Sequence, residues 1–212
     1  MPGDPLDTLV ESMSADELGH LFEQLGRRVA RWHTIGAADA EALGGRDGFA
    51  PVVAHAATLD LTPDERRWSD RAAEIAGGLP RVLVHGDVHE GQLLVEPDPP
   101  HRLTGILDWQ TARVDHPFVD FDLGEWGTAM WRGHRAGFTE LRRRAFAAYA
   151  AERDLDPIVG VAFEWFHACS HDRRLVGAGS FPVVHPPAIT GTPAEARAAV
   201  IAALRALADL EG

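Results

Sequence analysis

The chain has 212 residues, 45% hydrophobic and 25% charged, which is the composition of an ordinary soluble globular protein with apolar residues for one sizeable core. Its formal net charge of −12 argues against a nucleic-acid-binding surface as the main function, since neutralising phosphates needs clustered positive charge, and suits solubility or small, cationic substrates. Cys169 is the only cysteine, so neither an internal disulfide nor a thiolate metal cluster can form; with no secretion signal and no window as long as a membrane span, the expected compartment is the cytoplasm.

In chain order, residues 1–13 read as a flexible, loosely attached segment, and residues 14–212 as one unit. Ser14 stands three before Glu17, a capping box, and Leu18, Leu21, Phe22, Leu25, Val29 and Trp32 follow at helical spacing. Residues 37–61 lack steady periodicity and read as a long connection with one short helix. Thr62-Pro63-Asp64-Glu65 is a second capping box with proline at the first helical position, opening a helix that stops at Gly77-Gly78. Three short apolar runs follow: Val82-Leu83-Val84, Leu93-Leu94-Val95, and residues 103–107, the last two separated by the turn Pro97-Asp98-Pro99-Pro100. Residues 112–117 read as a loop and 118–131 as an apolar segment. Helices are expected over 140–152, from Asp156-Pro157 onward, and from a third box, Thr192-Pro193-Ala194-Glu195, through Leu210; residues 181–187 are a proline-bounded loop. The fold class is mainly α with small β-hairpins, an α+β arrangement.

The chemistry gathers between Arg81 and Trp109. The first apolar run delivers His85-Gly86-Asp87 into a glycine-containing loop closing at Gly91-Gln92, and the third ends on Asp108. Asp87 lies two after His85 and five before Gln92, the H-x-D-x-x-x-x-N spacing of a phosphoryl-transfer catalytic loop except at its last residue. Such a loop uses a carboxylate to accept the proton of an attacking hydroxyl and an amide oxygen to hold magnesium. A second carboxylate past the next hairpin, here Asp108, suits an ion that takes few protein oxygens and fills its shell with water and phosphate.

At Leu83-Val84-His85-Gly86-Asp87, Gly91-Gln92-Leu93-Leu94-Val95, Gly105-Ile106-Leu107-Asp108-Trp109, His116-Pro117-Phe118 and Asp120-Phe121-Asp122-Leu123, the chain resembles the aminoglycoside phosphotransferase and choline kinase-like family. The resemblance implies the helical C-terminal lobe of a protein-kinase-like fold, with Mg²⁺ and ATP as cofactors and a small-molecule hydroxyl as substrate. Carried over, His85 and Asp87 are the catalytic-loop residues, Asp87 the base and His85 the loop's histidine, while Asp108 and Gln92 match the metal-binding positions. Gln stands where the family has Asn; its amide is one methylene further out, leaving metal ligation and a purely loop-building role both open. Asp115, His116, Asp120 and Asp122 are expected to anchor the metal loop to the helical core.

The family's N-terminal β lobe is expected to be absent, because few residues precede Ser14 and all 20 basic Lys+Arg residues are Arg, so no lysine can serve the nucleotide phosphates. Self-association, or a partner supplying that lobe, is then expected. Arg113 reads as solvated, and Glu164, Trp165 and Asp172 as candidate pocket residues. Two other readings stand beside the kinase: a non-catalytic module binding a metabolite or protein, and a zinc hydrolase built on His85, Asp87 and His89, which alternate along the chain.

Overall fold

The computed structural model describes residues 3–122, 138–177 and 192–211. Seven α-helices in these residues form the body: α1 (Leu6–Leu9), α2 (Ala15–Trp32), α3 (Ala50–Thr58), α4 (Pro63–Gly77), α5 (Phe138–Glu152), α6 (Pro157–Gly177) and α7 (Pro193–Glu211). Five short strands, β1 (Asp4–Pro5), β2 (Val82–Val84), β3 (Leu93–Val95), β4 (Leu103–Ile106) and β5 (Arg113–Asp115), carry the site. The mainly helical α+β class is observed.

The three helix starts are made by the expected reciprocal bonds. The Glu17 N–H donates to Ser14 Oγ at 3.2 Å and the Ser14 N–H to Glu17 Oε2 at 2.8 Å, and the pairs Thr62/Glu65 and Thr192/Glu195 repeat this. Each box satisfies helix-terminal N–H groups that would otherwise lack partners. Helix α2 then packs along α5, and α6 along α7 and α4. The core is rich in rings: Phe118, Phe121 and Phe163 are fully buried, and Phe146 stacks on Phe163 with centroids 4.0 Å apart.

Strands β1, β3 and β4 form an antiparallel sheet in that order, with Leu93 opposite Ile106 and Leu94 opposite Gly105. The open edge of β4 is covered by α2: Gln24 Oε1 accepts from the Leu103 N–H at 2.9 Å, and Arg28 Nη2 donates to the Leu103 carbonyl at 3.0 Å. A second, two-stranded sheet pairs β2 with β5, Leu83 facing Val114.

Three expectations need correction. Residues 3–13 are not loosely attached: Asp4 and Pro5 pair with Val95 and Leu94, and Leu6, Val10 and Met13 are buried in the main core, where their spacing of four and three places them on one face. Residues 112–117 are not simply a loop, because Arg113–Asp115 forms β5; three residues are too few to show an alternation. Arg113 is not solvated, since its Nε donates to the buried Asp115 Oδ2 at 3.0 Å and its Nη1 to the Thr111 carbonyl at 3.0 Å. The end of the expected 118–131 segment and the whole of the 181–187 loop lie outside the described residues.

Candidate active site

Strand β2 ends at Val84, and the chain turns sharply at Gly86, whose φ of +81° is open to glycine at little steric cost. Space demands glycine as well: a Cβ there would sit 2.0 Å from Arg113 Nη1 and 3.0 Å from the Thr111 carbonyl. The turn is held from below by Asp120, which is buried on the 3-10 turn Pro117–Phe121. Asp120 Oδ2 accepts from the His85 N–H at 3.0 Å and Oδ1 from the Gly86 N–H at 2.8 Å. Asp87 follows at once, so its backbone is fixed by a carboxylate in the core.

His85 is wholly buried and shapes the loop. Its Nε2–H donates to the Leu107 carbonyl at 2.8 Å, and its Nδ1 accepts from the Asp87 N–H at 3.3 Å. The two bonds define a neutral Nε2–H imidazole and tie the residue before Asp108 to the loop bearing Asp87. Asp108 has left-handed backbone angles, φ 59° and ψ 65°, which cost a residue with a Cβ of order 1 kcal/mol and gather at functional sites. Trp109 helps to hold it there: its indole N–H donates to the Ile106 carbonyl at 3.1 Å, and its ring packs edge-on against His85 and Trp32, centroids 4.7 and 5.2 Å away.

Gln92 joins the two carboxylates. Its Nε2 lies 3.4 Å from Asp87 Oδ2 and 3.5 Å from Asp108 Oδ2, and its Oε1 is buried without a hydrogen-bond partner. An amide between two carboxylates, with an orphaned oxygen, suits a site that also takes a cation: rotating the amide exchanges N for O and turns an oxygen toward the ion. Gln92 and Asp108, beside Asp87, therefore fit a magnesium ion with few protein ligands.

The polar residues after β4 are anchors. Burial works against the Asp120 carboxylate, but His33 and the His85 and Gly86 N–H groups outweigh it and hold its pKa below the usual carboxylate value. Asp115 Oδ1 accepts from Gly48 N–H at 2.8 Å, and His116 Nε2 donates to the Ala76 carbonyl at 3.0 Å, pinning the end of α4. Burial pushes the His116 pKa down to about 4. Asp122 accepts from Ser170 Oγ at 2.7 Å and from Arg174 Nη2 at 2.5 Å; its carboxyl is held far below the ordinary range, burial opposing and Arg174 prevailing.

Other candidates fall away from the site. Trp165 is buried with its indole N–H on Ser69 Oγ, Asp172 pairs with His55 at 2.7 Å, and Glu164 pairs with Arg143 at 3.1 Å, although it does border a groove of about 390 Å³ between α5 and α6. Burial raises the Cys169 thiol pKa to about 12, as suits a core residue. The zinc reading is corrected: Gly86 breaks the strand on which His85, Asp87 and His89 would align, both His85 nitrogens serve the loop, and among the described residues no group of three or more His, Cys, Asp and Glu is placed to hold a metal. Sequence reasoning missed His33, which bonds Asp120, and Tyr149, which bonds His33; the signal for the first was a histidine directly after an apolar helical stripe.

A small hairpin and a loop thus bring two carboxylates and an amide together against a helical body. The chain belongs to the APH phosphotransferase enzyme family, whose profile matches residues 1–158. Among solved structures it is similar to a Ralstonia eutropha JMP134 protein assigned to the aminoglycoside phosphotransferases, at 16% identity over 99% of this chain and 71% of that one, with a TM-score of 0.52, a likeness of fold. It is also similar to a macrolide 2'-phosphotransferase type I (19% identity, 88% of this chain, 58% of that one, TM-score 0.39). An aminoglycoside phosphotransferase from Streptomyces rimosus ATCC10970 shows 19% identity over 78% of this chain and 65% of that one, TM-score 0.46. The chain spans less than two thirds of the latter two. No curated protein matches it.

Proposed function

We propose that the chain is the catalytic lobe of a kinase that moves a phosphoryl group from a nucleoside triphosphate, ATP by family resemblance, to the hydroxyl of a small molecule. The observation that carries this reading is the convergence of Asp87, Gln92 and Asp108 on one point, with Asp108 in left-handed backbone and the Gln92 amide oxygen unpartnered. Asp87 accepts the proton of the attacking hydroxyl, and its loop is already rigid, so little reorganisation is required. Asp108 and Gln92 are the residues that would hold a magnesium ion. Held by Asp108 and Gln92, such an ion would supply positive charge against the nucleotide phosphates.

The absence of lysine from the chain supports a further part of the proposal, that nucleotide grip is completed by a partner, by self-association or by sequence outside residues 1–212. Among the described residues no helix is long and apolar enough to cross a membrane, and a lone buried cysteine suits a cytoplasmic setting. Transfer of phosphate from ATP to a panel of small alcohols and amino sugars, followed by ADP release, tests the reading. Asp87→Asn is expected to cut turnover by roughly 10²–10⁴ and leave the fold intact. Unchanged turnover in that variant removes the base, and a chain without transfer under any partner or extension leaves the family's non-catalytic binding module as the reading.

A further inference from the structure

The catalytic loop hangs on Asp120, and Asp120 in turn is held by two residues that no motif includes. His33, just past the end of α2, places Nε2 3.0 Å from Asp120 Oδ2, and its Nδ1 lies 3.2 Å from the hydroxyl of Tyr149 on α5. Asp120, His33 and Tyr149 are 1%, 1% and 3% exposed, so solvent cannot replace any of these bonds. Burial pushes the Tyr149 hydroxyl up to about 12, which keeps it a neutral group able to donate. A carboxylate can only accept, so Nε2 must carry the proton facing Asp120, while Nδ1 shares a hydrogen bond with the Tyr149 hydroxyl. The bonds converge on Asp120: His33, linked to the Tyr149 hydroxyl through Nδ1, donates Nε2–H to Oδ2, and the N–H groups of His85 and Gly86 donate to Oδ2 and Oδ1 from the other side.

We propose that His33 and Tyr149 are positioning residues for the loop carrying Asp87, acting through Asp120. Trp32 Nε1 also donates to Oδ2 at 2.9 Å, but that indole is only partly buried and sits on the same helix as the stripe that packs the core. The His33 bond is different in kind, because it ties the orientation of the carboxylate to α5 as well as α2. These two helices share the most extensive helix–helix contact among the described residues, with the backbone of Ala145 pressed against Gly26. Asp120 has one oxygen for each of two consecutive N–H groups, so a small rotation of the carboxylate moves the turn at Gly86 and with it Asp87. A displacement of that scale, remote from the chemistry, is enough to cost a catalytic loop much of its rate.

The consequence for catalysis rests on the proposed role of Asp87, but the positioning itself does not, and the test separates them. Amide hydrogen exchange is read at His85 and Gly86 in the whole chain for wild type, Tyr149→Phe, His33→Leu and His33→Gln, with amides of α7 as the internal reference. Tyr149→Phe and His33→Leu are expected to speed exchange at His85 and Gly86 by about tenfold or more while α7 keeps its wild-type rates. His33→Gln, whose amide N–H can still reach Asp120, is expected to restore much of the protection lost in His33→Leu. Wild-type rates at His85 and Gly86 in both deletion variants, or rates rising in step with α7, overturn the proposal by showing no role or a merely global one. Wherever transfer activity is measurable, Tyr149→Phe is expected to lower kcat with KM nearly unchanged; exchange that changes in a chain with no activity would sink the kinase reading alone.

Discussion

Gln92 is the residue on which the proposed metal site turns. Its amide nitrogen sits at 3.4 and 3.5 Å from two carboxylates, distances too long for strong bonds, while its oxygen has none. Gln92→Met keeps the volume and removes both groups. It is expected to weaken Mn²⁺ binding by roughly tenfold, in line with losses on removing groups around a metal, while leaving stability unchanged or slightly raised; equal titration curves would make Gln92 a loop residue only. His116 offers a pH test. Its folded pKa is lowered from 6.5 to about 4, so as pH falls below 6.5 the unfolded chain takes up the proton first. Stability should therefore be full above about 6.5 and decline as the pH falls to about 4, by roughly 3 kcal/mol from this residue alone. Partly buried His167, lowered to about 3 by desolvation and by Arg142, adds to the slope. Urea unfolding between pH 7 and 4 should show a shallower pH dependence for His116→Gln, by up to one proton; parallel curves would contradict the neutral, buried assignment.

Among the elements, the α2–α5 contact admits a direct comparison of two glycines one heptad apart. A Cβ on Gly26 would lie 1.9 Å from the carbonyl oxygen of Ala145, which is backbone and cannot move away without shifting α5. On Gly19 it would lie 1.8 Å from Arg144 Nη1, the end of a flexible side chain paired with Glu23. Gly26→Ala is therefore expected to lose about 1–3 kcal/mol despite the gain in helix propensity. Gly19→Ala should be nearly neutral, since a propensity gain of up to about 1 kcal/mol offsets a half-exposed ion pair. Thermal melts of the two variants decide it, and equal destabilisation would mean that the helices do not cross as described. The same elements show what a sequence makes legible. The capping boxes at Ser14, Thr62 and Thr192 could be read because their chemistry spans four residues. Strand β5 could not, since three residues carry no period, and the burial of Leu6, Val10 and Met13 was masked by the Pro, Gly and Asp around them.

At the scale of the molecule, Asp87, Gln92 and Asp108 were legible as a set because spacing along one loop and one hairpin almost dictates their meeting. His33, Trp32 and Tyr149 were not, because the bonds of Trp32 and His33 to Asp120 and of Tyr149 to His33 join residues 87 to 116 positions apart. The same view predicts how the chain handles nucleotide. Without a lysine, binding of Mg-ATP by these 212 residues alone should be weaker than micromolar, that is, less favourable than about −8 kcal/mol. Weak binding of this kind is best seen by resonance. Backbone amide spectra of the chain, titrated with Mn²⁺ and a non-hydrolysable ATP analogue, should show paramagnetic broadening confined to the loop from His85 to Gln92 and to Leu107, Asp108 and Trp109, and Asp108→Ala should abolish it. Broadening that is absent, that centres elsewhere, or that survives in Asp108→Ala would contradict the assignment of this site to metal-dependent phosphoryl transfer.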